Sequence, residues 1–169
     1  MAAKTGTYTL IASNTLSSNA GSITFSSIPG TYTDLILVSN IIGNATQENY
    51  FRLNSDTGSN YSSTLLAGNG TSATSVRFSN QDVAYISRLA TSVVTNPNYN
   101  SILSFMDYAN TTTYKTAIAR ANNAGAATEA VVSLWRSTSA VNSITILPST
   151  SSYASGSTFK LYGIEAGNL

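Results

Sequence analysis

Ala154-Ser155-Gly156-Ser157-Thr158-Phe159-Lys160-Leu161-Tyr162-Gly163-Ile164 reads as a turn followed by an alternating strand. Phe159, Leu161 and Gly163 fall on one face, Lys160 and Tyr162 on the other, which is the period of a half-buried strand. The same pattern recurs upstream. Ser101 to Tyr108 sets Ile102, Ser104, Met106 and Tyr108 against Leu103, Phe105 and Asp107. Asn110-Thr111-Thr112-Thr113 makes a turn, and Tyr114 to Ala121 answers as its hairpin partner. Thr128 to Arg136 carries Val131, Val132, Leu134 and Trp135, and Ala140 to Leu147 is β-branched and closed by Pro148.

The N-terminal half is less regular. Tyr8, Leu10 and Ala12 share a face in Thr7 to Ser13, and a short strand follows over Ser22 to Phe25. Ile28-Pro29-Gly30 is a turn. In Asp34 to Ile42, the run Leu35-Ile36-Leu37-Val38 breaks alternation, so this segment reads as a central strand buried on both sides, or as a bulge. Asn49 to Asn54 is a further strand. Tyr61 to Leu66 reads as one helical turn capped by Asn60 or as a loop, Ala67 to Thr74 as a polar loop, and Val76 to Phe78 and Val83 to Leu89 as weaker strands. About eight to ten short strands, with no long amphipathic helix, predict an all-β fold: an antiparallel β-sandwich, jelly-roll-like. An up-and-down barrel is the alternative. Residues 1–6 read as a flexible N-terminal arm and residues 7–169 as a single sandwich domain.

Composition bounds the chemistry. Of 169 residues only 9% are charged, against roughly a quarter in ordinary domains. Ser, Thr and Asn take their place, and the net charge of +1 gives little self-repulsion. Such a chain tends to associate, which fits a subunit of an assembly. There is no Cys and no His. Thiolate and imidazole metal ligands are therefore missing, as are Cys or His catalytic groups. A serine nucleophile would need a lysine base, and none follows a Ser-x-x-Lys spacing. The acids are Asp34, Glu48, Asp56, Asp82, Asp107, Glu129 and Glu165, with no signal of a carboxylate pair flanking a bond. Asp107, within a predicted strand, is expected to form a structural pair with Arg120 or Lys115, or to mark an edge. Asp56-Thr57-Gly58-Ser59-Asn60 has alternating oxygen ligands but lacks the rest of a calcium loop, and reads as a side-chain-stabilised turn. The sequence thus predicts no enzyme, no metal and no cofactor.

Eight basic residues are scattered among seven acids, so no nucleic-acid footprint forms. No long apolar run marks a signal peptide or a membrane span, so the chain is expected to be soluble in the cytoplasm where it is made. Sugar binding on an aromatic platform is an open expectation. Tyr61, Tyr99 and Tyr153 in loops, and Trp135 near a strand end, are the candidate partner or glycan contacts, with core packing the alternative for each.

An ordered set of stretches carries a resemblance: Tyr8-Thr9-Leu10-Ile11, Ile23-Thr24-Phe25-Ser26-Ser27-Ile28-Pro29, Thr31-Tyr32-Thr33-Asp34-Leu35, Asn60-Tyr61-Ser62-Ser63-Thr64, Tyr108-Ala109-Asn110-Thr111-Thr112-Thr113-Tyr114-Lys115, Trp135 to Thr145, and Gly156 to Ile164. Together they resemble small jelly-roll-like virion proteins of tailed bacteriophages, of the marine and cyanobacterial type. The resemblance implies a virion structural role without catalytic residues: a capsid decoration or cement protein that binds the major capsid protein and stabilises the head lattice. The alternative it implies is a tail or fibre module that recognises host glycans. In both, the chain is made in the host cytoplasm and ends on the particle surface, and both roles imply a homo-oligomer, with a trimer favoured and a dimer suited to an array at two-fold axes.

Overall fold

The computed structural model describes residues 7–43, 45, 47–88, 99–123 and 125–165. The expected arm at residues 1–6 lies outside the described residues. The strands are β1 (Tyr8–Thr15), β2 (Ile23–Phe25), β3 (Asp34–Ile41), β4 (Asn49–Leu53), β5 (Tyr61–Gly68), β6 (Ala73–Gln81), β7 (Ala84–Ser87), β8 (Tyr99–Met106), β9 (Lys115–Asn123), β10 (Ala127–Trp135), β11 (Ile144–Pro148) and β12 (Thr158–Ile164). They form two antiparallel sheets, one of eight strands in the order β1-β12-β3-β8-β9-β10-β5-β6 and one of four in the order β2-β11-β4-β7.

Four antiparallel pairs build the frame: β1 with β12, β2 with β11, β3 with β8 and β4 with β7. Successive pairs alternate between the sheets, and β12·β3 and β11·β4 join them side by side. That is a jelly roll, a long paired ribbon wound into two facing sheets. Two insertions, β5–β6 and β9–β10, both extend the same sheet beyond β8, so it is twice as wide as its partner.

Alternation fixes what lies between the sheets. Leu35, Leu37 and Ile41 of β3, Leu103 and Phe105 of β8, Val131 of β10, and Phe159 and Leu161 of β12 point inward and are buried. Phe51 and Leu53 of β4, with Ile144 and Ile146 of β11, meet them from the small sheet. Phe51 and Phe105 touch edge to face across the gap at 5.4 Å.

Several elements differ from the sequence reading. Tyr61–Gly68 is a full strand, because its polar residues find partners inside: Ser63 bonds Ser133 at 2.7 Å. The polar loop shrinks to a turn around Asn69, whose Oδ1 accepts from the Thr71 and Ser72 amides. Strand β3 alternates cleanly and is buried on one face only. In β1 a bulge between Leu10 and Ala12 leaves Tyr8 and Leu10 outside and turns Ala12 inward. Strand β8 stops at Met106, since Asp107 adopts a left-handed φ of 49°. The Asp107 carboxylate accepts from the Asn110 amide at 2.9 Å and makes no ion pair with Arg120 or Lys115. Lys115 instead turns inward and donates to the Thr113 and Thr138 carbonyls at 2.8 and 3.3 Å. Burial lowers its ammonium pKa, against the opposing pull of the Asp107 carboxylate.

The wide sheet solves an edge problem. Strand β7 ends the small sheet, and its outer backbone groups need partners. The Tyr85 N–H donates to Ser63 Oγ at 3.1 Å, and Ser133 Oγ donates to the Tyr85 carbonyl at 3.2 Å. Glu129 Oε2 accepts from the Arg88 N–H at 2.8 Å. The buried Ser63–Ser133 pair is thus a cap supplied by one sheet to the edge of the other. Removing either hydroxyl leaves a buried backbone group unpaired, at a cost of about 1–3 kcal/mol. Ser63→Ala should lower the denaturation midpoint and speed hydrogen exchange at the Tyr85 amide, which amide exchange read by NMR checks directly.

Candidate functional site

The four aromatic side chains expected as partner or glycan contacts lie inside the molecule. Tyr61, Tyr99, Trp135 and Tyr153 are all buried. Each has interior work, and burial is what overrides their loop-like sequence surroundings. Tyr61 opens β5 and stacks on Trp135 at the end of β10, with ring centroids 6.4 Å apart. Its hydroxyl accepts from the Leu53 N–H at 3.0 Å, and burial pushes its pKa up to about 12. Trp135 Nε1 donates to Asp56 Oδ2 at 2.6 Å. Asn60 and the Gly58 N–H also donate to Asp56, at 2.9 and 2.8 Å. Burial raises the Asp56 pKa, but these three bonds outweigh it and hold the carboxyl below its ordinary value. Asp56 is therefore the centre of the turn the sequence predicted, with tryptophan as an added ligand.

At another corner of the core, Tyr153 forms isolated bridges with Ala20 and Gly43 and packs on Phe159 at 5.4 Å. Its hydroxyl donates to Asn49 Oδ1 at 3.0 Å. Tyr99 opens β8 opposite Ile41. Burial raises the pKa of both phenols, so both stay neutral.

The carboxylates are likewise occupied. Asp34 accepts from the Asp107 N–H, Glu48 from the Tyr50 hydroxyl, and Glu165 from the Thr9 hydroxyl. Asp82 pairs with Arg52 at 2.6 Å and Glu48 with Arg88 at 3.4 Å. Among the described residues no three acidic side chains gather into a metal-holding group.

The surface feature that stands out is one the sequence reading missed. Among the described residues, the large apolar side chains that stand exposed are Tyr8, Leu10, Val38, Leu66, Met106, Tyr114, Ile118 and Val132. All except Tyr114 lie on the outer face of the eight-stranded sheet. Register places them in rows. Tyr162, Ile36, Ser104, Ile118, Val132 and Thr64 form one row across β12, β3, β8, β9, β10 and β5. Lys160, Val38, Ile102, Arg120, Ala130 and Leu66 form the next. Flanking these, Asn40, Asn100, Asn122 and Thr128 make an amide ladder in which Asn40 Nδ2 donates to Asn100 Oδ1 at 2.7 Å. On the other side run Asp34, Met106, Thr116 and Leu134. Two shallow hollows meet at Arg120 and Thr128.

The outer face of the small sheet differs. Thr24 and Thr145 share a hydrogen bond at 2.9 Å, and the Arg52–Asp82 and Arg88–Glu48 pairs lie on and beside it. One outer face carries the charged pairs, and the other carries the exposed apolar residues interleaved with Lys160, Arg120 and the amide ladder. Exposed apolar side chains gathered on one face are, in proteins generally, a feature of surfaces that other macromolecules cover. The apolar outward residues of β3 were legible as the break in alternation at Leu35-Ile36-Leu37-Val38, but that signal reads equally as burial within the chain.

No family model and no curated protein matches the chain. Among solved structures, domains LG4-5 of the mouse laminin alpha1 chain are similar at 12% identity and a TM-score of 0.36, over 94% of this chain and 44% of that one. An exo-inulinase from Aspergillus awamori is similar at 12% identity and a TM-score of 0.36, over 93% of this chain and 29% of that one. The chain thus spans less than half the length of either.

Proposed function

We propose that this chain is a structural subunit of a tailed-bacteriophage particle, a decoration or cement protein of the head. It is made in the host cytoplasm and works on the particle surface by binding, without catalysis. The observation that carries the reading is the outer face of the eight-stranded sheet, whose exposed apolar residues are suited to being covered by protein. The ordered resemblance to phage virion proteins supplies the setting. A subunit that binds only the assembled lattice stabilises it by linkage, and many copies make modest single contacts effective. The interior positions of Tyr61, Tyr99, Trp135 and Tyr153 take away the platform expected for host glycans and favour a protein partner such as the major capsid protein.

Quantitative mass spectrometry of purified particles tests this. A decoration protein should appear in a stoichiometry comparable to the major capsid protein, and particles lacking it should lose their genomes at lower temperature. A handful of copies confined to the tail would instead make the chain a tail or fibre module.

A further inference from the structure

We propose that the outer face of the eight-stranded sheet is covered by the same face of a second copy, giving a two-fold dimer of sandwiches. The inference rests on the reading of this chain as an assembly subunit whose apolar face is a protein contact: it gives that face to a sister copy and leaves the loops and the small sheet for the lattice.

Area favours a second copy. Eight strands spaced about 4.8 Å apart, with four outward rows about 6.8 Å apart, give a face of roughly 900 Å². A standard stable interface buries roughly 800 Å² per partner. A docked peptide or a single loop would cover a strip of this face, whereas an identical sheet covers all of it. Two sheets also pack face to face without altering either, as the sheets within each sandwich already do.

Charge permits it. The whole chain carries +1, so two copies repel little. The cations of the face are dispersed: Lys160 on β12, Arg120 on β9 and Arg77 on β6. A two-fold axis lying in the interface, across the strands and between the Ile118 and Arg120 rows, sets unlike rows against each other. Arg120 then lies over Ile118 of the second copy, Lys160 over Tyr162, and Arg77 over Ser75. The amide ladder meets the row of Asp34 and Thr116, so Asn40 faces a carboxylate. No cation faces a cation, and apolar residues meet apolar residues at Val38–Ile36 and Ala130–Val132. An isologous contact sets one surface against itself, and this pairing does so without like-charge repulsion.

Light scattering after size exclusion of the purified full chain, over a wide concentration range, tests the proposal. The expected mass is twice the 17.7 kDa of one chain. Ile118→Lys, which sets a second cation against Arg120 of the other copy, should weaken the dimer at least about 30-fold. Leu66→Lys, on a different strand, should do the same, and serves if Ile118→Lys does not fold by near-ultraviolet circular dichroism. Thr145→Asp, on the small sheet, should leave the dimer intact. A monomer at every concentration, a trimer, or a dimer indifferent to both Ile118→Lys and Leu66→Lys overturns the proposal. Each of those results leaves the stoichiometry on particles to be measured separately, so the two readings fail by different experiments.

Discussion

Trp135→Ala should lose about 3–5 kcal/mol of stability, the largest effect expected from any single change outside the centre of the core. The indole is buried at the end of β10, stacks on Tyr61 and donates to Asp56, so its removal opens a cavity and also takes a donor from a half-buried carboxylate. Urea denaturation followed by circular dichroism measures it. Trp135→Phe shifts the balance between the two losses, since a six-membered ring remains while the N–H and the five-membered ring that carries it are gone. Its cost should be about 1–3 kcal/mol, and it should depend on pH. The Asp56 pKa is lower in the folded chain than its ordinary value, so the ionised carboxylate stabilises the fold above the unfolded pKa of about 3.9. That contribution fades as pH falls through the folded pKa. The gap between the parent chain and Trp135→Phe should therefore narrow in acid. A gap that stays constant to low pH would show that the indole acts through packing alone.

Gly163→Ala should destabilise by about 1–3 kcal/mol although it adds a single methyl group. Gly163 lies on the inner face of β12, where a Cβ would sit 2.3 to 2.5 Å from the Tyr32 ring. The tyrosine comes from the segment before β3 and lies flat over the glycine, so the sheet has no space there for any side chain. The clash is with the base of the ring, which cannot swing aside without moving its backbone. Changing Tyr32 to Ala costs stability alone, but it should return much of what Gly163→Ala loses when the two are combined. A double-mutant cycle in urea reads this coupling. Strict additivity would mean that the glycine is required for some other reason.

The parts of the fold legible in the sequence were those where local chemistry and tertiary role agree. The alternation of Phe159, Leu161 and Gly163 against Lys160 and Tyr162 predicted the faces of β12 because one side meets the core and the other does not. The turn at Asp56 was legible because Asp, Gly and Asn stabilise a turn from within it. The path of β5 was not, because Ser62, Ser63 and Thr64 are polar by sequence. Ser63 is buried only because β7 ends above it and offers a backbone N–H, a fact about two strands distant in the chain. Asp107 looked like a strand residue by position, but its left-handed φ ends the strand. The aromatic residues failed for a related reason: Tyr61, Tyr99 and Tyr153 sit at strand ends or in loops, and only the winding of the ribbon decides that these points lie between the sheets. The apolar outer face was visible residue by residue at Ile36, Val38, Ile118 and Val132. Which side of each strand stayed uncovered required the sheet order.

The nesting of the four strand pairs also sets the order in which the chain can assemble. Strands β8, β9 and β10 follow one another directly and pair with their neighbours, so they close short loops and form early. The pairing of β1 with β12 joins Tyr8 to Ile164 and encloses nearly the whole chain. Its loop-closure entropy is met by contacts that exist only after the interior pairs are in place. Folding therefore runs from the middle outward, and the last event is the zipping of the two ends of the described chain along one edge of the wide sheet. Until then β1 and β12 present unsatisfied edges, and a nascent subunit in a crowded cell is most exposed to mispairing in that interval.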